Sequence, residues 1–512
     1  MVAKLLTTSI AAPGFQGLNT QDSSVTLESG FATVANNCVI DKFGRIGARK
    51  GWLPQHVSNA DLGANNISSM GELITSDGTQ HIVVAGNNKL FSFNGSTLSL
   101  LTYGGGGSSP TISSNNWQMA ALNGCLYLYQ TGHDPLVYDP AVSTTTYRRV
   151  SEKTGYVGTV QQASCVISAY GRTWSAAPST NKSLIQFRDL LAGHVLNTGT
   201  AGTLDVATVW PDGPDEIQAL AAHNGFLFIF GKRQILIYAN PTDPNELRLQ
   251  DAITGVGCFA RDSVAVTGTD VIFLSDTGVR SLQRVIQEKS SPLRDLSANV
   301  RDDLVGEVLL ESPTEIRSIY SSKEAFYLLA LPQRQIVYCF DMRGTLQNGA
   351  NRVTTWDGLV FKSALYTKNK DLLFGLSEYI GKYTGYLDNT NTYLLRYFTN
   401  YFDFEQPTVI KIVKKVGVTT IGGQGYPIIL KFGFDFGDIL NSRQFSLSGG
   451  TVAEYNIAEF ANSEYGGQVY DTKLINIGGA GRVIQLGLET NVNSRSISIQ
   501  KLDVYVKVGK IR

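Results

Sequence analysis

A chain of 512 residues exceeds what one hydrophobic core usually organises, so two or three domains or a single repeat architecture are expected. Charged residues make up only 17%, while 52 glycines, 23 tyrosines and 23 phenylalanines favour strands and tight turns, which indicates an all-β fold. Forty-three basic residues balance 43 acidic ones, excluding a net field that would draw the protein to nucleic acid, an anionic membrane or an acidic substrate.

In chain order, residues 1–55 come first, with short polar strands and two distinctive stretches, Phe15-Gln-Gly-Leu-Asn-Thr-Gln-Asp-Ser23 and Asn36-Asn-Cys-Val-Ile-Asp-Lys-Phe-Gly-Arg-Ile-Gly-Ala-Arg-Lys-Gly-Trp52. Too short to fold alone, this segment must pack on a platform or on a neighbouring subunit. Its order is expected to depend on assembly, and loss of residues 1–50 is expected to spare the folding of residues 56–390.

Within residues 56–390, from about residue 70 onwards, one unit recurs: an apolar strand, a turn rich in Gly, Asn or Asp, and a second apolar strand. The clearest copies are Leu122-Asn-Gly-Cys-Leu-Tyr-Leu-Tyr129 and His223-Asn-Gly-Phe-Leu-Phe-Ile-Phe230, with weaker ones near His81, Cys165, Val271, Phe326 and Leu372. Starts recur every 41 to 58 residues, the spacing of β-propeller blades, and the copies suggest about seven. A large sandwich of unrelated hairpins is the alternative. Ser291-Pro292 is a cap and first-turn pair, and Leu293, Leu296, Val300 and Leu304 share one stripe, so a helix over 292–306 should interrupt the repeat near 290–308, on a rim or against another subunit.

Residues 391–512 change to long alternating strands, over 392–404, 408–418, 427–436, 483–488 and 496–507, which together with the N-terminal segment read as a β-sandwich or platform. No apolar run approaches the ~18 residues of a membrane span, and no secretory pattern follows Met1. Five widely spaced cysteines, Cys38, Cys125, Cys165, Cys258 and Cys339, read as reduced and mostly buried.

No catalytic, cofactor-binding or metal-binding residue can be nominated. His56, His81, His133, His194 and His223 form no i, i+4 pair and have no cysteine partner, and read as surface or turn residues. Gly375 to Tyr383 departs from a phosphate loop in both glycine spacing and hydroxyl ligand and reads as a blade turn. Asp302-Asp303 and the Asp435/Asp438 pair read as solvated structure. Ser275-Asp-Thr-Gly278 is a fragment of a sialidase-type Asp box without its Trp, and Trp356-Asp357 is a single WD dipeptide. Basic residues at Lys411, Lys414 and Lys415, at Arg148-Arg149, at Lys232-Arg233 and at Lys507, Lys510 and Arg512 are scattered, which suits salt bridges and solubility better than a DNA-binding face.

The GLNTQDS opening and the Asn36–Trp52 stretch resemble the start of tail nozzle proteins of short-tailed bacteriophages, the tail tubular protein B or packaged-DNA stabilisation group. The block from Asn224 through Gly255-Val-Gly-Cys258 to Thr269–Gly278 is similar to the propeller of that group. The resemblance implies a non-enzymatic virion protein made in the host cytoplasm. It implies a homohexameric ring docked on the head–tail adaptor, bearing fibre or tip proteins, touching genomic DNA non-specifically and conducting it at ejection, with no cofactor. A carbohydrate-binding or carbohydrate-degrading propeller is the alternative, and a WD40-like peptide scaffold is a third.

Overall fold

The computed structural model describes residues 5–24, 26–113, 116–288, 295–437, 440–447 and 470–508. It is all-β with a propeller at its centre. Seven innermost strands, Ile67–Ile74, Gln118–Leu122, Cys165–Ala169, Ile217–His223, Ala265–Val266, Arg317–Ser321 and Ser363–Tyr366, form a closed ring in which each packs against the next and the last meets the first.

Six of these strands open complete blades with four radial positions filled. The other sector is a three-stranded sheet, Ala265–Val266, Val271–Ser275 and Gly278–Ser281, and the helix Leu282–Glu288 packs against its outer strands. The expectation of about seven blades therefore resolves into six full blades and one abbreviated sector. That sector carries the recognisable Val271 hairpin but has a helix after its third strand.

Each interface between neighbouring sectors has its own apolar filling. Leu73, Val83 and Leu90 of the first blade meet Leu126, Leu128 and Leu136 of the second. Trp174 and Ile185 of the third meet Leu227 and Leu236 of the fourth. The blades bury both faces in this way, which explains why central strands such as Cys125–Tyr129 and Phe326–Leu331 are buried at every position.

The last blade is closed by the N-terminal segment. Trp52–Pro54 is its outer strand, with Tyr383 opposite Trp52 and Gly381 opposite Pro54. The propeller thus begins before residue 56, and its ring is locked by strands more than three hundred positions apart in sequence.

The blade before the last does not end at its rim. Its outer strand Asn351–Trp356 pairs with Phe31–Asn36, and the sheet continues through Tyr393–Thr399, Ile484–Val492, Pro427–Phe434 and Asn441–Ser446. A second sheet, built on Lys411–Gly422 and Ile497–Val508 with Leu5–Ala11, Cys38–Ile40 and Ile46–Ala48, covers it. Val413, Val416, Leu502 and Val504 of that sheet share a core with Leu395, Tyr397, Leu430 and Leu486 of the first. The expected sandwich over 391–512 is present, and it incorporates strands from residues 5–48.

The helix expected over 292–306 is observed as Arg301–Leu309, preceded by the short helix Ala298–Val300, with Leu296, Val300 and Leu304 buried as the stripe requires. Ser291, Pro292 and Leu293 lie outside the described residues, as do Asp438, Lys510 and Arg512.

The described residues of the 1–50 segment pack within their own chain, and the expectation that the segment orders on assembly is revised. Phe31–Asn36 stands inside a ten-stranded sheet, between the propeller and the platform. Deleting residues 1–50 should therefore abolish soluble, cooperatively folding protein; a truncated chain with an unchanged melting transition by circular dichroism would contradict this placement.

Candidate functional site

Where blade, platform and N-terminal segment meet, Arg49 is wholly buried. Burial opposes its charge, and the hydrogen bond and charge of Asp388 outweigh that, holding the guanidinium above its ordinary value. The pair is bidentate, Nη1 to Oδ1 at 2.8 Å and Nη2 to Oδ2 at 2.7 Å. Nε donates to Asn37 Oδ1 at 2.9 Å and Nη2 to the Asp357 carbonyl at 3.3 Å. The guanidinium lies 4.1 Å from the centre of the Tyr393 ring.

Asn37 is the second pin. It adopts a left-handed conformation, φ 54°, which Asn tolerates better than most residues. Its amide donates to Asp357 and to the Leu394 carbonyl, while its Oδ1 also accepts the Asp357 N–H at 3.1 Å. Trp356 Nε1 donates to the Cys38 carbonyl at 3.0 Å and its ring stacks on Tyr383. Gly51 passes so close to residue 387 that an added Cβ would lie 1.9 Å from the Leu387 carbonyl oxygen. The Trp356-Asp357 dipeptide is therefore a receptor for the N-terminal segment.

Beside this joint runs a groove of about 650 Å³ between platform and propeller, bearing Asp41, Lys42, Lys50, Lys323, Glu324, Asp341, Arg343 and Arg352. Lys50 pairs with Glu324 at 2.7 Å and Arg343 with Asp341 at 3.0 Å. Burial raises the Asp341 carboxyl above its usual range despite Arg343 and Arg352.

A second cavity, about 430 Å³, is the propeller's axial channel, lined by all seven innermost strands. Its titratable residues are Arg261, Asp262 and Arg317. Asp262 Oδ2 lies 2.7 Å from Arg261 and 3.4 Å from Arg317. Burial disfavours the charged carboxylate, but the two arginines hold it below its ordinary value.

The structure does not gather the histidines. His56 is buried, stacked near Phe93 and Tyr379, with Nε2 accepting the Ile380 N–H; it is a packing residue of the closing blade, which corrects its reading as a surface or turn histidine. His81 sits against Tyr138 and His133 against Trp117. Gly375 to Tyr383 is a blade hairpin, Asp302 and Asp303 are exposed on the first turn of Arg301–Leu309, and Asp435 caps the Arg482 and Val483 amides. Ser275 to Gly278 is the hairpin turn of the abbreviated sector. Lys411 departs from expectation: it is buried, and its ammonium donates to the carbonyls of Gln406 and Arg482. All five cysteines are buried and unpaired, and burial raises Cys165 to about 11 and Cys258 to about 12. Among the described residues, no group of three or more His, Cys, Asp or Glu is placed to hold a metal ion.

No family model matches the chain, and no curated protein matches it. Solved structures similar to it include the extracellular domain of a one-component system from B. thetaiotaomicron, at 10% identity over 90% of this chain and 62% of that one, TM-score 0.44. This chain thus spans less than two thirds of that structure. YCF48 from Cyanidioschyzon merolae is 9% identical over 66% and 99%, TM-score 0.39. The Pan2 WD40 domain of Neurospora crassa is 10% identical over 65% and 96%, TM-score 0.38. The propeller assignment rests on the chain's own strand pairing and ring closure.

Two outcomes are expected from these charges. Arg49→Met leaves a carboxylate that is 13% exposed without its cation and should cost about 3–5 kcal/mol in urea unfolding, with Arg49→Lys intermediate. The folded Asp262 value lies below the unfolded ~3.9, so its stabilisation is complete above about pH 4 and is lost as pH falls through the folded value. Asp262→Asn should accordingly flatten the acid limb of a stability profile between pH 6 and 2, and an unchanged limb would show that the ion cluster contributes nothing.

Proposed function

We propose that the chain is a structural subunit of a bacteriophage tail, one of six around the nozzle channel of a short-tailed virion, docked on the head–tail adaptor. The observation that carries this reading is where the resemblance falls. The Asn36–Trp52 stretch, by which the chain resembles nozzle proteins, supplies Asn37, Arg49 and Gly51 to the joint between propeller and platform. The likeness therefore lies in residues that set how the two bodies are held together, which is what a ring subunit must hold constant.

The equal counts of 43 basic and 43 acidic residues support the same reading. Several phosphate contacts per subunit, repeated around a ring, would hold DNA too tightly for it to pass. Leu309 and Leu310, at the end of the inserted helix, are 67% and 65% exposed and offer a neighbouring subunit or the adaptor an apolar contact. In this role the protein is not an enzyme and requires no cofactor.

Light scattering and negative-stain imaging of the intact chain, alone and with the adaptor ring, test the proposal. Rings of six, formed alone or only on the adaptor, are expected. A 55.6 kDa monomer indifferent to the adaptor would overturn it and favour the carbohydrate-binding propeller, for which a glycan array is the direct assay.

A further inference from the structure

Arg317 opens the sixth innermost strand and lines the axial channel. It is only 7% exposed, and burial lowers its pKa from the ordinary value. One nitrogen carries all its bonds: Nη1 donates to the carbonyls of Thr314 at 2.6 Å and Ile316 at 2.9 Å, and faces Asp262 at 3.4 Å. Nε and Nη2 have no partner among the described residues.

Those two nitrogens form the side edge of the guanidinium, the edge that grips a carboxylate or phosphate through two parallel N–H bonds. Although the residue is only 7% exposed, this edge is not among the buried unpartnered atoms and stays open to a ligand. The nearby carboxylates do not fill it: Asp262 meets Arg317 through Nη1 at 3.4 Å and is held more closely by Arg261, at 2.7 Å, while Glu315 and Glu311 act on it through their charge without a hydrogen bond.

Two arginines against one aspartate leave the channel lining with one positive charge in excess. Polar groups without partners among the described residues stand around it: the Ser168 hydroxyl, on an exposed position of its strand, and Nε2 of Gln118, whose Oε1 already accepts the Val166 N–H at 2.7 Å. At about 430 Å³ the cavity falls within the roughly 300–1,000 Å³ of small-molecule sites.

We propose that the axial channel is a binding site for a small oxyanion, a phosphate ester or a carboxylate, gripped by the Nε/Nη2 edge of Arg317 and placed by Asp262 and Arg261 behind it. The site is complete within one chain and does not depend on ring formation, so its failure would leave the nozzle reading untouched.

Isothermal titration of the intact chain with inorganic phosphate and, separately, acetate, at fixed ionic strength, tests this. Saturable binding of one anion per chain is expected; phosphate alone would identify a phosphate ester as the natural ligand, and acetate, alone or with phosphate, would identify a carboxylate. Arg317→Met should weaken binding on the order of tenfold to a hundredfold, with Arg317→Lys intermediate. Ser168→Phe should obstruct the channel and weaken binding with the arginines intact, which keeps the test decisive if Arg317→Met does not fold. Absence of saturable binding of either anion, or affinity unchanged in whichever of these variants folds, would overturn the proposal.

Discussion

Burying a guanidinium costs least when its charge is met and its donors are used, and Arg49 draws those partners from three parts of the chain at once. Its carboxylate comes from Asp388, after the last blade; its Nε acceptor from Asn37, before the first; and a carbonyl acceptor from Asp357, just past the outer strand of the blade before the last. Stability alone is a weak reason for such a pair, since desolvation consumes much of the Coulombic gain. Its consequence is geometric: any arrangement that moves one of these segments away leaves a buried charge or a buried donor without its partner.

Ring closure and platform attachment are consequently one event. The same short segment that presents Arg49 continues into Trp52–Pro54, the outer strand of the last blade, and precedes it with Ile46–Ala48, which pairs with the long strand Ile497–Val508 of the platform. A propeller closed by a strand from elsewhere in the sequence resists opening because separating its ends also requires breaking the platform contacts. For a subunit proposed to hold its shape around a DNA channel, rigidity between the two bodies is the property that matters.

Much of this fold is legible in the sequence, and the remainder is hidden for identifiable reasons. Hairpin copies such as those at Leu122 and His223 announce the blades because both faces of the central strands are buried and turn residues sit at fixed offsets. The abbreviated sector reads as a full blade because its hairpin is intact; only its outermost position differs. The strand at Trp52–Pro54 carries no local signal, being three residues long and paired with residues 381–383. Trp356-Asp357 reads as a lone WD dipeptide, since its role depends on Asn36, Asn37 and Cys38. Lys411 groups with Lys414 and Lys415 in sequence, although strand alternation puts it on the same face as Val413, and that spacing marks it as inward. Arg261 and Asp262 are neighbours in sequence, but Arg317 joins them only where adjacent sectors pack, which no short window of sequence displays.

The central claim is that propeller and platform form one cooperative body. Differential scanning calorimetry of the intact chain tests it directly. A single endotherm whose calorimetric and van't Hoff enthalpies agree is the result this account requires. Two separable transitions, one for the propeller and one for the platform, would contradict it and reduce the Arg49 joint to a local contact.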